Sequence, residues 1–138
     1  MTGAERLCRA LESLGVSTVF GLPGTQNVAL FEALRTSRLR TIVATHELGA
    51  SFMANGYARA SGRPGVLVTI PGPGFSYSLT GLAEAFLDSV PLVALVGKPA
   101  EAPGRRFQFQ ALDQRAVAAP CRHAEQQQRG ACGNVSPY

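Results

Sequence analysis

The 138-residue chain has 46% apolar and 16% charged side chains, with 15 Gly and 9 Pro; this fits one compact domain, which at such a length buries roughly 68–70% of its unfolded surface and needs no disulfide or metal staple. Its cysteines, Cys8, Cys121 and Cys132, are odd in number and form no CxxC pair, which argues against a secreted disulfide framework or a zinc knuckle and for a reducing cytoplasm. The net charge of +4 divides evenly, +2 over residues 1–99 and +2 over residues 100–138, and the longest apolar run is Val90 to Val96, so neither a basic nucleic-acid stripe nor the ~20-residue apolar stretch of a membrane helix is present.

Taken in chain order, Ala4, Leu7, Cys8, Leu11 and Leu14 recur at helical spacing, Thr2 with Glu5 has the form of a capping box, and Gly15 is a left-handed stop. Nothing in this opening stretch reads as an apolar signal region, so a soluble, untargeted chain is expected. A short β-branched and aromatic strand follows at residues 16–20, closed by the Gly21-Leu22-Pro23-Gly24 turn. A second amphipathic helix presents Val28, Phe31 and Leu34, and its basic end, Arg35, Arg38 and Arg40, reads as a solvated surface. Residues 41–45 form a second strand, and a helix rich in Ala and Met runs from Leu48 to Ala60, ended by Gly62 and Pro64. Residues 65–70 and 91–97 are nearly continuous apolar strands, as expected of strands covered on both faces. Between them, Pro71-Gly72-Pro73-Gly74 is expected neither to continue a strand nor to start a regular helix, and Leu79, Leu82, Ala83, Phe86 and Leu87 form a helical face. This alternation predicts an α/β fold, an open parallel sheet with helices on both faces.

Residues 98–114 read as a loop that becomes helical from Leu112, and the stretch from Cys121 onward lacks any helical or strand period. The expected division is a domain over residues 1–120, incomplete at its C-terminus, and a disordered or non-native tail over residues 121–138.

Ligands of open parallel sheets bind outside the carboxyl ends of the strands. Three loops fall there: Gly21 to Gly24, His46-Glu47, and Gly72-Pro73-Gly74. Each also has a purely structural reading, since Gly and Pro make turns and an acid suits a helix N-terminus. Several chemistries are excluded. A P-loop needs Gly-Lys-Ser/Thr where Phe75-Ser76-Tyr77 stands, a dinucleotide fingerprint needs a small residue at Tyr77, and a zinc-protease helix needs histidine at Ala50.

The ordered set Gly21-x-Pro23-Gly24, His46-Glu47, Ala54-Asn55-Gly56-Tyr57-Ala58-Arg59, Gly72-Pro73-Gly74 and Asp88-Ser89-Val90-Pro91-Leu92 resembles the N-terminal pyrimidine-binding domain of thiamine diphosphate enzymes, in particular the acetolactate synthase-like group. The likeness spans about Gly3 to Gly97. It implies a thiamine diphosphate-binding fold in which Glu47 is the catalytic and cofactor-binding acid. By bonding the N1′ nitrogen of the cofactor's aminopyrimidine, this carboxyl favours the imino tautomer, which takes a proton from the thiazolium carbon to leave a nucleophile. Gly24, Gly72, Pro73 and Gly74 would line the ring, with glycine letting the backbone approach it closely. Gln110 would offer an amide to substrate, and His46 would either face substrate or serve as a hydrogen-bond partner packing its loop. Arg59 is expected to pair with a carboxylate or cap its helix, and Tyr57 to pack in the core or an interface.

The sequence departs from that family's pattern in four ways. Phe75, Ser76 and Tyr77 stand where small residues and an asparagine are common, and Ala111 replaces a frequent carboxylate after Gln110. No recognisable helix and strand complete the domain after Pro120. The second cofactor domain, which holds Mg2+ and the diphosphate, and the middle domain have no counterpart. The resemblance therefore implies part of an enzyme of 2-oxo acid decarboxylation and carboligation, inactive alone, whose partner is a diphosphate-binding domain or subunit in a homo- or hetero-oligomer. The alternative is a non-catalytic remnant or assembly module that keeps the fold and its dimer face.

Overall fold

The computed structural model describes residues 1–99 and 108–121. Of the tail expected over residues 121–138, Cys121 instead closes a 3-10 turn, Ala119–Cys121, that continues the last helix, and residues 122–138 lie outside the described residues. Helix α1 (Gly3–Ser13) opens with the capping box read from the sequence: the Thr2 hydroxyl accepts from the Glu5 N–H, and the Glu5 carboxylate accepts from the Thr2 N–H. Strand β1 (Thr18–Gly21) leads to α2 (Val28–Thr36), β2 (Arg40–Val43) and α3 (Glu47–Ser61), which stops at the left-handed Gly62. Strand β3 (Gly65–Thr69), α4 (Pro73–Leu87), β4 (Leu92–Val96) and a short α5 (Gln114–Ala118) complete the set.

All strand pairs are parallel, in the order β2-β1-β3-β4. Side chains alternate across the two central strands, as the two-residue period of a strand requires. Phe20 and Leu67, with Leu92 and Ala94 of β4, face a core with Ala50, Ala54, Phe75, Leu82 and Ala85 from α3 and α4. Val19, Val66 and Val68, with Leu95, face Cys8, Leu11, Ala33 and Leu34 from α1 and α2. The result is a three-layer α/β arrangement with helices on both faces, as expected. Among the described residues, no helix is long and apolar enough to cross a membrane.

Helices α3 and α4 approach closely because their facing residues are small. A Cβ at Gly81 would stand 2.2 Å from Ser51 Oγ, and Ala50, Ala54 and Ala58 are buried along the same helix. Small residues on facing helices allow the backbones near contact, and packing at interior density then leaves no room for added atoms.

Four expectations need correction. Pro73 does start a helix: it occupies the first turn of α4, where its missing N–H costs nothing, and Gly72 turns the chain into it at φ +67°. The last helix begins at Gln114 rather than Leu112, because the Asp113 carboxylate caps it by accepting from the Ala116 N–H. Leu14 and Leu87 share a helical period with core residues yet are 79% and 77% exposed. Leu14 is the C-cap of α1 and Leu87 the last residue of α4, so each stands at a helix end, where the helical period no longer carries a side chain onto the buried face. Val28, at the start of α2, is exposed for the corresponding reason at the other end of a helix.

Candidate functional site

Strand order reverses between β1 and β3: the chain leaves β1 for β2 on one side and later returns to β3 on the other. In open α/β sheets a crevice forms at this switch point, outside the carboxyl ends of the strands. The loop after β1 carries Gly24, and the loop after β3 carries Ile70 to Gly72. The two loops meet at Ile70. A Cβ at Gly24 would lie 2.4 Å from Ile70 Cγ2, and one at Gly74 would lie 2.4 Å from Ile70 Cγ1.

Glu47, the first residue of α3, comes to the same place. Its Oε1 would stand 2.7 Å from a Cβ at Gly74, so the carboxyl lies against the first turn of α4. The residue is 8% exposed. Among the described residues no group hydrogen-bonds or ion-pairs with its side chain. Its oxygens are not among the fully buried side-chain atoms that lack a partner, so the carboxyl keeps a small opening at the rim through which a donor could reach it.

His46 precedes it as the N-cap of α3. Its Nδ1 accepts the Leu48 N–H at 3.1 Å, which in the neutral imidazole leaves the proton on Nε2. The exposed ring lies 5.0 Å from that of Tyr77 on α4. Pro73 is exposed on the same rim.

Gln110 arrives from the far segment. Its backbone crosses Gly72 so closely that a Cβ there would lie 2.9 Å from the Gln110 carbonyl oxygen. Gln110 itself sits at φ +62°, and its Oε1 is buried without a hydrogen-bond partner. The structure thus brings Gly24, Glu47, Gly72, Gly74 and Gln110 to one rim, with His46 and Pro73 beside them. The spaces left by the three glycines are filled by the chain's own atoms, namely Ile70, the Glu47 carboxyl and the Gln110 backbone.

Arg59 and Tyr57 do not join this group. Arg59 bonds Asn55 Oδ1 and pairs with the Asp88 carboxylate, as expected. Tyr57 packs on Phe20 at 5.6 Å and bonds Ser17 at the opposite edge of the sheet.

Three contributors were not singled out as site residues in the sequence. Ile70 is the wedge between two glycines. Asn27, buried before α2, accepts the Gly24 N–H at 2.7 Å and donates to the Leu22 carbonyl at 3.0 Å, so it braces the loop after β1. Gln114 binds the Gly72 N–H and the Gly97 carbonyl. Asn just before a helix is a common N-cap signal that could have drawn attention to this position but not to its role, because the side chain turns back into the loop instead of capping α2.

The fold is an α/β domain whose glycine turns converge on the Glu47 carboxyl at the switch point. The family model described as thiamine pyrophosphate enzyme, N-terminal TPP binding domain, matches residues 1–117. The chain belongs to this family. It is 42% identical over 123 residues to a probable 2-ketoarginine decarboxylase of Pseudomonas aeruginosa, a match covering 87% of this chain and 22% of that relative. Identity is 48% over 97 residues with the chloroplastic acetolactate synthase of Arabidopsis thaliana, covering 70% of this chain and 14% of the relative. With the acetolactate synthase isozyme 2 large subunit of Escherichia coli K12 it is 44% over 98 residues, covering 71% and 18%. The chain thus spans about a fifth of the length of these curated relatives, and corresponds to their thiamine diphosphate enzyme N-terminal region.

Proposed function

We propose that this chain supplies the pyrimidine-binding side of a thiamine diphosphate-dependent active site, in an enzyme of 2-oxo acid decarboxylation or carboligation. The observation that carries this reading is the Glu47 carboxyl, buried against Gly74 with no partner among the described residues. A ring nitrogen entering the rim would complete it. The orphaned Gln110 Oε1 suits a polar-edged heterocycle, whereas the glycines of this rim make room for the chain's own Ile70, Glu47 and Gln110 rather than for a ring.

When bound, thiamine diphosphate supplies a thiazolium carbon that becomes nucleophilic on losing its proton. Glu47 would bond the N1′ position and hold or share a proton there. Gly74, having no side chain, lets the first turn of α4 lie against this carboxyl. His46 would present its Nε2–H, and Gln110 its amide, toward substrate. Among the described residues no cluster of His, Cys, Asp or Glu could hold a metal ion, and we assign Mg2+ and the diphosphate to a second domain or subunit. Since charge-based contacts to the diphosphate provide much of such a cofactor's grip, the chain alone should bind it weakly and not turn over. The same reading makes residues 1–120 one domain that works in an oligomer. It also places the enzyme in the cytoplasm, where the free thiols Cys8 and Cys121 would stay reduced.

Combining the chain with a diphosphate-binding portion and measuring CO2 release from 2-oxo acids tests this. Glu47→Gln should lose about 100-fold or more, the usual contribution of a positioned acid. Equal release by the variant would favour the assembly-module reading instead.

A further inference from the structure

We infer that Gln114 is a positioning residue for Glu47, acting through the turn at Gly72. The inference rests on the reading of the rim as a pyrimidine site.

Strands β3 and β4 are paired through Thr69 and Val96, their last residues. Beyond that point the chain after β3 turns through Pro71–Gly74, while the chain after β4 continues into Gly97, so the ladder opens. The Gln114 side chain enters this opening. Its Oε1 accepts the Gly72 N–H at 3.3 Å and its Nε2 donates to the Gly97 carbonyl at 2.9 Å. A primary amide has the same donor and acceptor as a peptide group, so here it continues the pairing that the backbone has given up. Few other side chains can do both: a carboxylate only accepts, an ammonium only donates, and leucine does neither.

The clamp holds the residue whose conformation decides where α4 begins. Gly72 has φ +67° and ψ −114°, a region open essentially to glycine alone. Gly74, two residues on, is the surface against which the Glu47 carboxyl lies. If the Gly72 peptide rotates, the first turn of α4 shifts and the support behind Glu47 shifts with it. The Gln110 backbone lies against Gly72 from the same segment, so the clamp also fixes the amide that would face substrate.

The test uses the full chain, with Gln114→Glu and Gln114→Leu, and amide and carboxyl NMR signals as readout. Gln114→Glu keeps the acceptor for Gly72 and loses the donor to Gly97; Gln114→Leu loses both. The Gly72 amide should stay protected from hydrogen exchange in Gln114→Glu and lose at least about tenfold of its protection in Gln114→Leu, the scale of one net hydrogen bond. The Gly74 amide and Glu47 carboxyl signals should move in Gln114→Leu and lie nearer their original positions in Gln114→Glu. Lowered melting temperature with those two signals unmoved would overturn the inference, since a merely structural residue would behave that way. Titration with thiamine diphosphate and Mg2+, carried out in the complex with a diphosphate-binding portion that supplies the grip this chain lacks, separates the two claims. Perturbation of Glu47 and Gly74 in the unaltered chain, about tenfold weaker in Gln114→Leu, supports both. Equal response in the variant refutes the positioning role, and no response at millimolar concentration in the unaltered chain refutes the reading of the site.

Discussion

The Glu47 carboxyl rests in the space that Gly74 leaves by having no side chain: a Cβ there would stand 2.7 Å from Oε1 and 2.4 Å from Ile70 Cγ1. Both neighbours are held in place, the first at a helix start and the second between two loops. Gly74→Ala should therefore destabilise the fold by about 1–3 kcal/mol, the scale of overpacking a filled interior. Urea denaturation would measure this, and an unchanged midpoint would show that the carboxyl is not confined there.

Glycines within helices should divide by the space around them. Gly56, inside α3, has nothing within 4 Å of an added Cβ, whereas at Gly81 that atom would meet Ser51 Oγ at 2.2 Å. Gly56→Ala should stabilise by about 0.5–1 kcal/mol, the cost of glycine in a helix interior. Gly81→Ala should destabilise by forcing α3 and α4 apart. Thermal melts of the pair should shift in opposite directions.

Asn27→Ala should cost about 1–3 kcal/mol, because it removes the partner of the Gly24 N–H and the Leu22 carbonyl at a part-buried site. Asn27→Asp retains the acceptor for Gly24 and should cost less. Denaturant midpoints of the two variants would establish the order.

Burial, with the Glu12 charge adding to it, raises the Cys8 thiol above its ordinary 9.0. The unfolded chain releases this proton first, so between the unfolded and folded values it binds fewer protons than the native state, and stability falls as pH rises. The contribution is fully present below pH 9.0 and is lost as pH climbs through the raised folded value. Cys8→Ala should show a shallower decline above pH 9.0 than the unaltered chain, as read from urea midpoints across that range.

Much of the scaffold was legible because its signals are local. The Thr2–Glu5 capping box, the left-handed stop at Gly62 and the apolar runs of β3 and β4 each depend on residues a few positions apart. The rim residues Gly24, Glu47 and Gly72 could be placed at one sheet edge by the parallel topology alone. What joins them could not. Gln114 reaches Gly72 across 42 residues and Gly97 across 17, and Ile70 acts by filling gaps in two separate loops. Such roles leave no periodic trace. The start of α4 was misjudged because proline was weighed as a breaker, although at a first helical position its fixed φ favours the helix.

The most direct measurement is hydrogen–deuterium exchange at the thiazolium carbon of thiamine diphosphate, in a complex of this chain with a diphosphate-binding portion. The unaltered chain should accelerate exchange, and Glu47→Gln should lower the rate by about 100-fold or more while cofactor stays bound. Exchange at equal rates in the two proteins would contradict the role assigned to Glu47.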